Sequence, residues 1–143
     1  QGGFMDQEVE DKLWEIVEES EIALLITDAD GYPRMRPMTV LAYDEDGSIW
    51  FATSKSSRKM TEIARNPRAA ACFLNLEGGA HAQVFGEAEL VDDPELKAEF
   101  WEEEWGEYWE GPTDPDYALL ALHGTRGEYY LVDEDELWVV EFG

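Results

Sequence analysis

Residues 48–67 read Ser48-Ile49-Trp50-Phe51-Ala52-Thr53-Ser54-Lys55-Ser56-Ser57-Arg58-Lys59-Met60-Thr61-Glu62-Ile63-Ala64-Arg65-Asn66-Pro67. Ser48 to Thr53 is apolar and rich in strand formers, so a β-strand is expected there. Ser56 or Ser57 can cap a helix running to about Arg65, with Met60, Ile63 and Ala64 on one face. Asn66-Pro67 stops it, because the residue before proline avoids the helical region. Strand, hydroxyl-rich turn and cationic first helical turn follow one another without a break. Arg58 and Lys59 oppose the dipole at a helix N-terminus, and a bound anion would offset that.

The flanks extend the pattern. Val9, Leu13, Ile16 and Val17 give an amphipathic helix from about Asp6 to Ser20. Ile22 to Thr27 is an apolar run of strand length, and Asp28-Ala29-Asp30-Gly31 turns it into a second strand, Arg34 to Tyr43. Asp44-Glu45-Asp46-Gly47 is a further turn. After Pro67, strands are expected at Arg68–Leu76 and Ala80–Val91, joined by Glu77-Gly78-Gly79, and Gly86 suggests a bulge or a close backbone approach. Asp93-Pro94 starts a third helix running to about Trp105. Gly111 to Pro115 is a loop, and the last strands are expected at Tyr117–Leu122, Glu128–Val132 and Leu137–Phe142. Seven or eight short strands joined by tight turns favour an antiparallel sheet or small barrel. Gln1-Gly2-Gly3-Phe4 ahead of Met5 reads as an appended leader, so one domain is expected over residues 5–143.

The charge balance narrows the function. The chain has 143 residues, 34 of them acidic and 10 basic, for a net charge of −24. Such a field opposes nucleic acid and anionic membranes. No apolar run is long enough to cross a bilayer, and a lone Cys72 fits a reducing, cytoplasmic setting. The acidity reads either as adaptation to a salt-rich cytosol or as an ordinary acidic surface. Residues 34–68 break the trend, with seven bases (Arg34, Arg36, Lys55, Arg58, Lys59, Arg65, Arg68) against four acids, a net of +3. The remaining residues hold three bases against thirty acids, a net of −27. Positive charge kept only here points to a phosphate, for which arginine offers a fork of donors and lysine a point charge.

The run Phe51 to Lys59 followed by Asn66-Pro67 resembles the pyridoxamine 5'-phosphate oxidase-like FMN-binding split barrels, and among them the general stress flavoproteins. Arg36-Pro37-Met38, Gly86-Glu87-Ala88-Glu89-Leu90 with Asp92-Asp93, and Asp114-Pro115-Asp116-Tyr117 agree in order and spacing over about residues 8–133. The resemblance implies a mainly β fold, a six-stranded Greek-key split barrel with flanking helices. It also implies a cytoplasmic homodimer with FMN in clefts at the interface. By position, Arg36 with Ser57, Arg58 and Lys59 would hold the FMN phosphate. Pro37, Met38, Thr39 and Val40 would line the isoalloxazine, and Phe51, Ala52 and Thr53 would close the other side. His81 stands where the oxidases carry a glutamine, and Gln83 lies two residues on along the same strand face. The oxidases' terminal substrate-binding segment has no counterpart before Gly143, so vitamin B6 oxidation is not expected.

Other readings stay open beside this one: a non-catalytic flavin store, a related barrel binding deazaflavin F420 or haem, or a dimeric scaffold. His81 and His123 are the only histidines, which is poor support for a metal centre. Phe100, Trp101, Trp105, Tyr108 and Trp109 lie among Glu99, Glu102, Glu103, Glu104, Glu107 and Glu110. They read as a helix anchor or as an aromatic flap over a planar ring, and the acids disfavour an anionic substrate. No Ser/His/Asp arrangement, Cys/His pair or phosphate loop of the Walker type is present, so nothing supplies a hydrolytic mechanism.

Overall fold

The computed structural model describes residues 4–20, 22–75 and 77–142. Helix α1 (Phe4–Ser20) is followed by β1 (Ile22–Ala29), β2 (Tyr32–Thr39), the two-residue β3 (Ala42–Tyr43) and β4 (Ser48–Ser54). Then come α2 (Arg58–Arg65), β5 (Arg68–Asn75), β6 (Ala80–Val91), α3 (Pro94–Phe100), a 3-10 turn (Glu103–Glu107), β7 (Tyr117–Leu131) and β8 (Glu136–Glu141). One antiparallel sheet runs β2-β1-β5-β6-β7-β4-β3, with β8 also on β7. The architecture is the expected mainly β barrel with flanking helices: six long strands, to which β3 and β8 are added. β2 and β3 are the ends of the sheet path, so the barrel is split on the side where β2 faces β4.

The inward face follows the period-2 pattern of half-buried strands. Ala23, Leu25 and Thr27 of β1, Ile49, Phe51 and Thr53 of β4, and Ala71 and Phe73 of β5 are buried, and Leu13, Ile16 and Val17 of α1 join the same core. Asp30 (φ 55°) and Gly31 (φ 93°) both take positive φ in the β1–β2 hairpin, the backbone such a tight turn demands. At Gly86 the β6–β7 register shifts, Phe85 pairing with Arg126 and Gly86 with Gly124. A Cβ there would lie 2.0 Å from the His123 carbonyl oxygen, so the bulge and the close approach coincide.

Three expectations need correction. β7 is one 15-residue strand, not two. The bulge at Thr125 absorbs the polar His123-Gly124-Thr125 interruption, β4 pairs with its first half and β8 with its second. The strand expected from Arg34 to Tyr43 instead starts at Tyr32 and pauses after Thr39. The third helix stops at Phe100 rather than near Trp105. Three consecutive glutamates, 102–104, would oppose the dipole at its C-terminal end, and Trp101 instead turns to extended backbone (φ −59°, ψ 135°) and packs on Tyr117. The last position of the strand expected to reach Leu76 lies outside the described residues.

Candidate functional site

The β4–α2 connection is held from below by acids. Asp116 accepts from the Ser56 amide (2.9 Å) and hydroxyl (3.1 Å), and its carbonyl accepts from the Lys55 amide (2.8 Å). Asp92 pairs with Lys55 and, at 2.9 Å, with the buried Lys97. Both lysines hold the Asp92 carboxyl below its ordinary range. The loop is thus fixed before any ligand arrives.

Ser57 stands at the N-cap of α2, yet its hydroxyl makes no capping bond. It donates instead to the Ser54 carbonyl (2.8 Å) and accepts from Lys59 Nζ (3.1 Å), with Thr53 Oγ1 3.4 Å away. The Met60 amide bonds to the Ser57 carbonyl (3.1 Å), and with no side chain capping α2 the Arg58 and Lys59 amides are the ones left to an anion. Burial, then the neighbouring Arg36 charge, pushes the half-buried Lys59 ammonium below its ordinary pKa, with Glu62 partly opposing. A lysine pressed between desolvation and a second cation is stabilised by an arriving anion.

Arg36 and Met38 lie on the inward face of β2, opposite Leu25 and Ala23 of β1. Arg36 donates to the Leu25 carbonyl (3.2 Å), Thr27 Oγ1 (2.9 Å) and Glu62 Oε1 (3.1 Å). The buried Glu62 carboxylate also accepts from Thr27 (2.6 Å) and lies 3.4 Å from Arg34 Nε and 3.9 Å from Arg58 Nε. The Thr27 hydrogen bond first, then the arginines, hold its pKa low against burial. The cluster therefore carries its own internal anion. Glu62 and Thr27 were not singled out from sequence. The signal available was a lone acid four residues after Arg58 on an otherwise cationic helix.

Beside this cluster a groove of about 230 Å³ is lined by Pro37, Met38, Thr39, Leu41, Ala52, Trp105, Tyr108 and Trp109. A chain of side-chain contacts links its wall to the cluster: Trp109 Nε1 donates to Ser54 Oγ (3.0 Å), and Ser54 is followed by the Ser57 that Thr53 and Lys59 touch. Val40 instead lines a separate recess of about 390 Å³ against Val17, Glu18 and Tyr43. Phe51 is fully buried in the core and Thr53 nearly so, which leaves Ala52 as the side chain of that strip facing the groove. Trp101, Trp105 and Trp109 form a cluster around Tyr117, with centroids 5.0–5.9 Å from it. Burial there pushes the Tyr117 phenol up to about 12.

His81 and Gln83 are elsewhere in the protomer. They sit on the outward face of β6, opposite Leu74 and Cys72 of β5, and His81 stacks on Tyr130 at 5.5 Å. β1 and β5 separate that strand from β2, about 14 Å at ordinary strand spacing. One protomer thus unites Arg36, Met38, Thr53, Ser57 and Lys59, with Pro37, Thr39 and Ala52 beside them, and leaves His81 and Gln83 apart. Arg58, largely exposed, borders a second cleft of about 490 Å³ with Arg34 and Arg65, where Asp28, Asp30 and Glu62 balance the three arginines.

A half-buried lysine and arginine beside hydroxyls, free helix amides and a flat apolar groove fit a phosphate ester carrying a planar ring. General stress protein 26 of Bacillus subtilis (strain 168) is 28% identical over 121 residues, covering 81% of this chain and 84% of its own. A pyridoxine/pyridoxamine 5'-phosphate oxidase of Alkalilimnicola ehrlichii is 30% identical over 79% of this chain, which spans about half (53%) of that enzyme. Among solved structures, a protein from Clostridium acetobutylicum related to general stress protein 26 superposes with a TM-score of 0.81 at 25% identity, covering 94% of this chain and 95% of that one. The general stress FMN/FAD binding protein of Xanthomonas citri superposes with a TM-score of 0.73 at 27% identity, covering 88% and 90%. The family model described as pyridoxamine 5'-phosphate oxidase like matches residues 8–140, almost the whole of the fold described above, and the chain belongs to that family.

Proposed function

We propose that this protein is an FMN-binding flavoprotein of the general stress type, working as a homodimer on a small molecule. The observation that carries the reading is Lys59. It is half-buried, depressed in pKa by burial and by Arg36, and bonded to Ser57 Oγ, while the residues next to Arg36 and Thr53 in sequence, Pro37 and Ala52, line an apolar groove. A phosphate dianion at that point relieves the desolvated charge, and the groove accepts the attached ring. Arg36 and Lys59 hold the phosphate, the amides of the first α2 turn add donors, and Pro37 to Thr39 with Ala52 orient the ring and exclude water. When bound, the flavin supplies hydride or single-electron transfer, which no side chain here offers. The cationic cluster favours this over haem, because a half-buried lysine beside an arginine and a serine hydroxyl suits a phosphate ester.

The homodimer reading rests on the outward sheet face. Met35, Ile22, Leu74, Leu137 and Val139 are exposed there, on β2, β1, β5 and β8, and no described helix covers them. That face also carries His81 and Gln83. A second copy seated on it is the arrangement that would bring these two residues to the groove of a partner.

Titration with FMN and with riboflavin tests the phosphate assignment. FMN should bind more tightly, and Lys59→Met should weaken FMN by about 1.5–3 kcal/mol, roughly tenfold to a hundredfold, while sparing riboflavin. Equal affinity of the parent for the two flavins would overturn it. Sedimentation should give a dimer that Met35→Asp with Leu74→Asp disrupts, and a monomeric parent would remove the dimer from the proposal.

A further inference from the structure

We infer that the aromatic end of the groove takes a planar aromatic cation as its ligand. The inference deepens the flavin reading by naming the substrate class of the same site, and rests on that reading only in calling the ligand a substrate.

Two independent features meet there. The first is the wall. Trp105, Tyr108 and Trp109 line the groove, and Tyr108 is 72% exposed with Trp109 5.9 Å behind it. The Trp109 N–H is already committed to Ser54 Oγ, so what this residue adds to the wall is its apolar ring. Ring faces carry negative potential and attract flat cations, tryptophan most strongly.

The second feature is charge. Residues 92–116 hold eleven acids and one base. That base, Lys97, is buried and paired with Asp92. Glu102, Glu103, Glu104, Glu107 and Glu110 are exposed, and among the described residues none of the five is in an ion pair. They sit on the segment that supplies the aromatic wall. Arg36 and Lys59 mark the other end, beyond Ser54 and Thr53. The site is therefore bipolar, basic where a phosphate fits and acidic where the rings are. A neutral ring would gain stacking alone. An anionic ring would be repelled, while a cationic ring gains stacking, cation–π attraction and the field of the glutamates.

The test is isothermal titration with N-methylquinolinium and naphthalene-2-sulfonate, with FMN present and absent. The cation should bind at least about tenfold more tightly at low salt, and KCl should narrow the gap. Tyr108→Ala should weaken the cation severalfold. The combined E102Q/E103Q/E104Q/E107Q/E110Q variant should erase the preference and keep its FMN affinity. A sulfonate that binds as tightly as the cation would overturn the inference. So would cation binding that neither variant alters, which would mark adsorption to acids elsewhere. Cation preference without any FMN binding would support this site and count against the flavin reading alone.

Discussion

Glu62→Gln removes the carboxylate at the centre of the cationic cluster and keeps its shape. Three arginine nitrogens lie 3.1, 3.4 and 3.9 Å from its oxygens. At an effective dielectric of about 20, each such pair has a gross attraction of about 4–5 kcal/mol. Desolvation offsets most of that, because the Glu62 side chain is only 9% exposed. Arg58 adds little, since 71% of its side chain faces water. What remains is the Arg36 pair, with the Thr27 hydroxyl bonded to the same oxygen. The expected loss is about 2–4 kcal/mol at pH 7. The pH dependence has a definite sign. The folded-state pKa of Glu62 is depressed, by the Thr27 hydrogen bond first and then by the arginines. Its stabilisation is therefore complete above the ordinary glutamate value, about 4.3, and is lost as pH falls through the lower folded value. Urea unfolding of parent and E62Q should show the full gap at pH 7 and a narrowing gap below about pH 4. Added FMN should recover more stability in E62Q than in the parent, because the cluster has lost its internal anion. A loss below about 0.5 kcal/mol at pH 7, or a gap unchanged at pH 3, would refute this account of Glu62.

Other positions give sharp expectations. Gly86→Ala places a Cβ against the His123 backbone, which has no flexible end to yield, and should cost about 3 kcal/mol or more in urea unfolding. Trp14 is buried, stacks on Tyr43 at 4.7 Å, and its indole N–H has no hydrogen-bond partner among the described residues. Trp14→Phe should therefore change stability by less than about 1.5 kcal/mol, whereas Trp14→Ala should cost about 3–5 kcal/mol. Asp116→Ala releases three loop bonds' worth of restraint only in part, since the Lys55 amide still bonds to a backbone carbonyl. It should weaken FMN binding by about threefold to thirtyfold while shifting the unfolding midpoint little, as titration beside a thermal melt would show.

The β4–α2 loop and its cationic side chains were legible because their signal is local. Strand, hydroxyls, Arg58-Lys59 and Asn66-Pro67 are contiguous, and the charge count over residues 34–68 set them apart. The inward turn of Arg36 was not legible. It depends on β2 pairing with β1 so that Arg36 stands opposite Leu25, within reach of Thr27 and Glu62. The same register puts Phe51 in the core, so its side chain is withdrawn from the groove that its neighbour Ala52 lines. The aromatic run was visible, but a helix continuing past Phe100 was the wrong frame for it. Packing on Tyr117 overrides the 3.6-residue spacing, and the three indoles still converge. His81 and Gln83 share a strand face as their spacing implied, while their distance from Lys59 comes from strand order, which no local pattern encodes. No described helix is long and apolar enough to cross a membrane.

The absorption spectrum of the purified protein, with mass spectrometry of whatever small molecule denaturation releases, identifies the cofactor directly. A flavin spectrum and released FMN are expected, or uptake of added FMN by protein purified without it. A colourless protein that ignores added FMN, or one that releases haem or a deazaflavin instead, would contradict the FMN assignment.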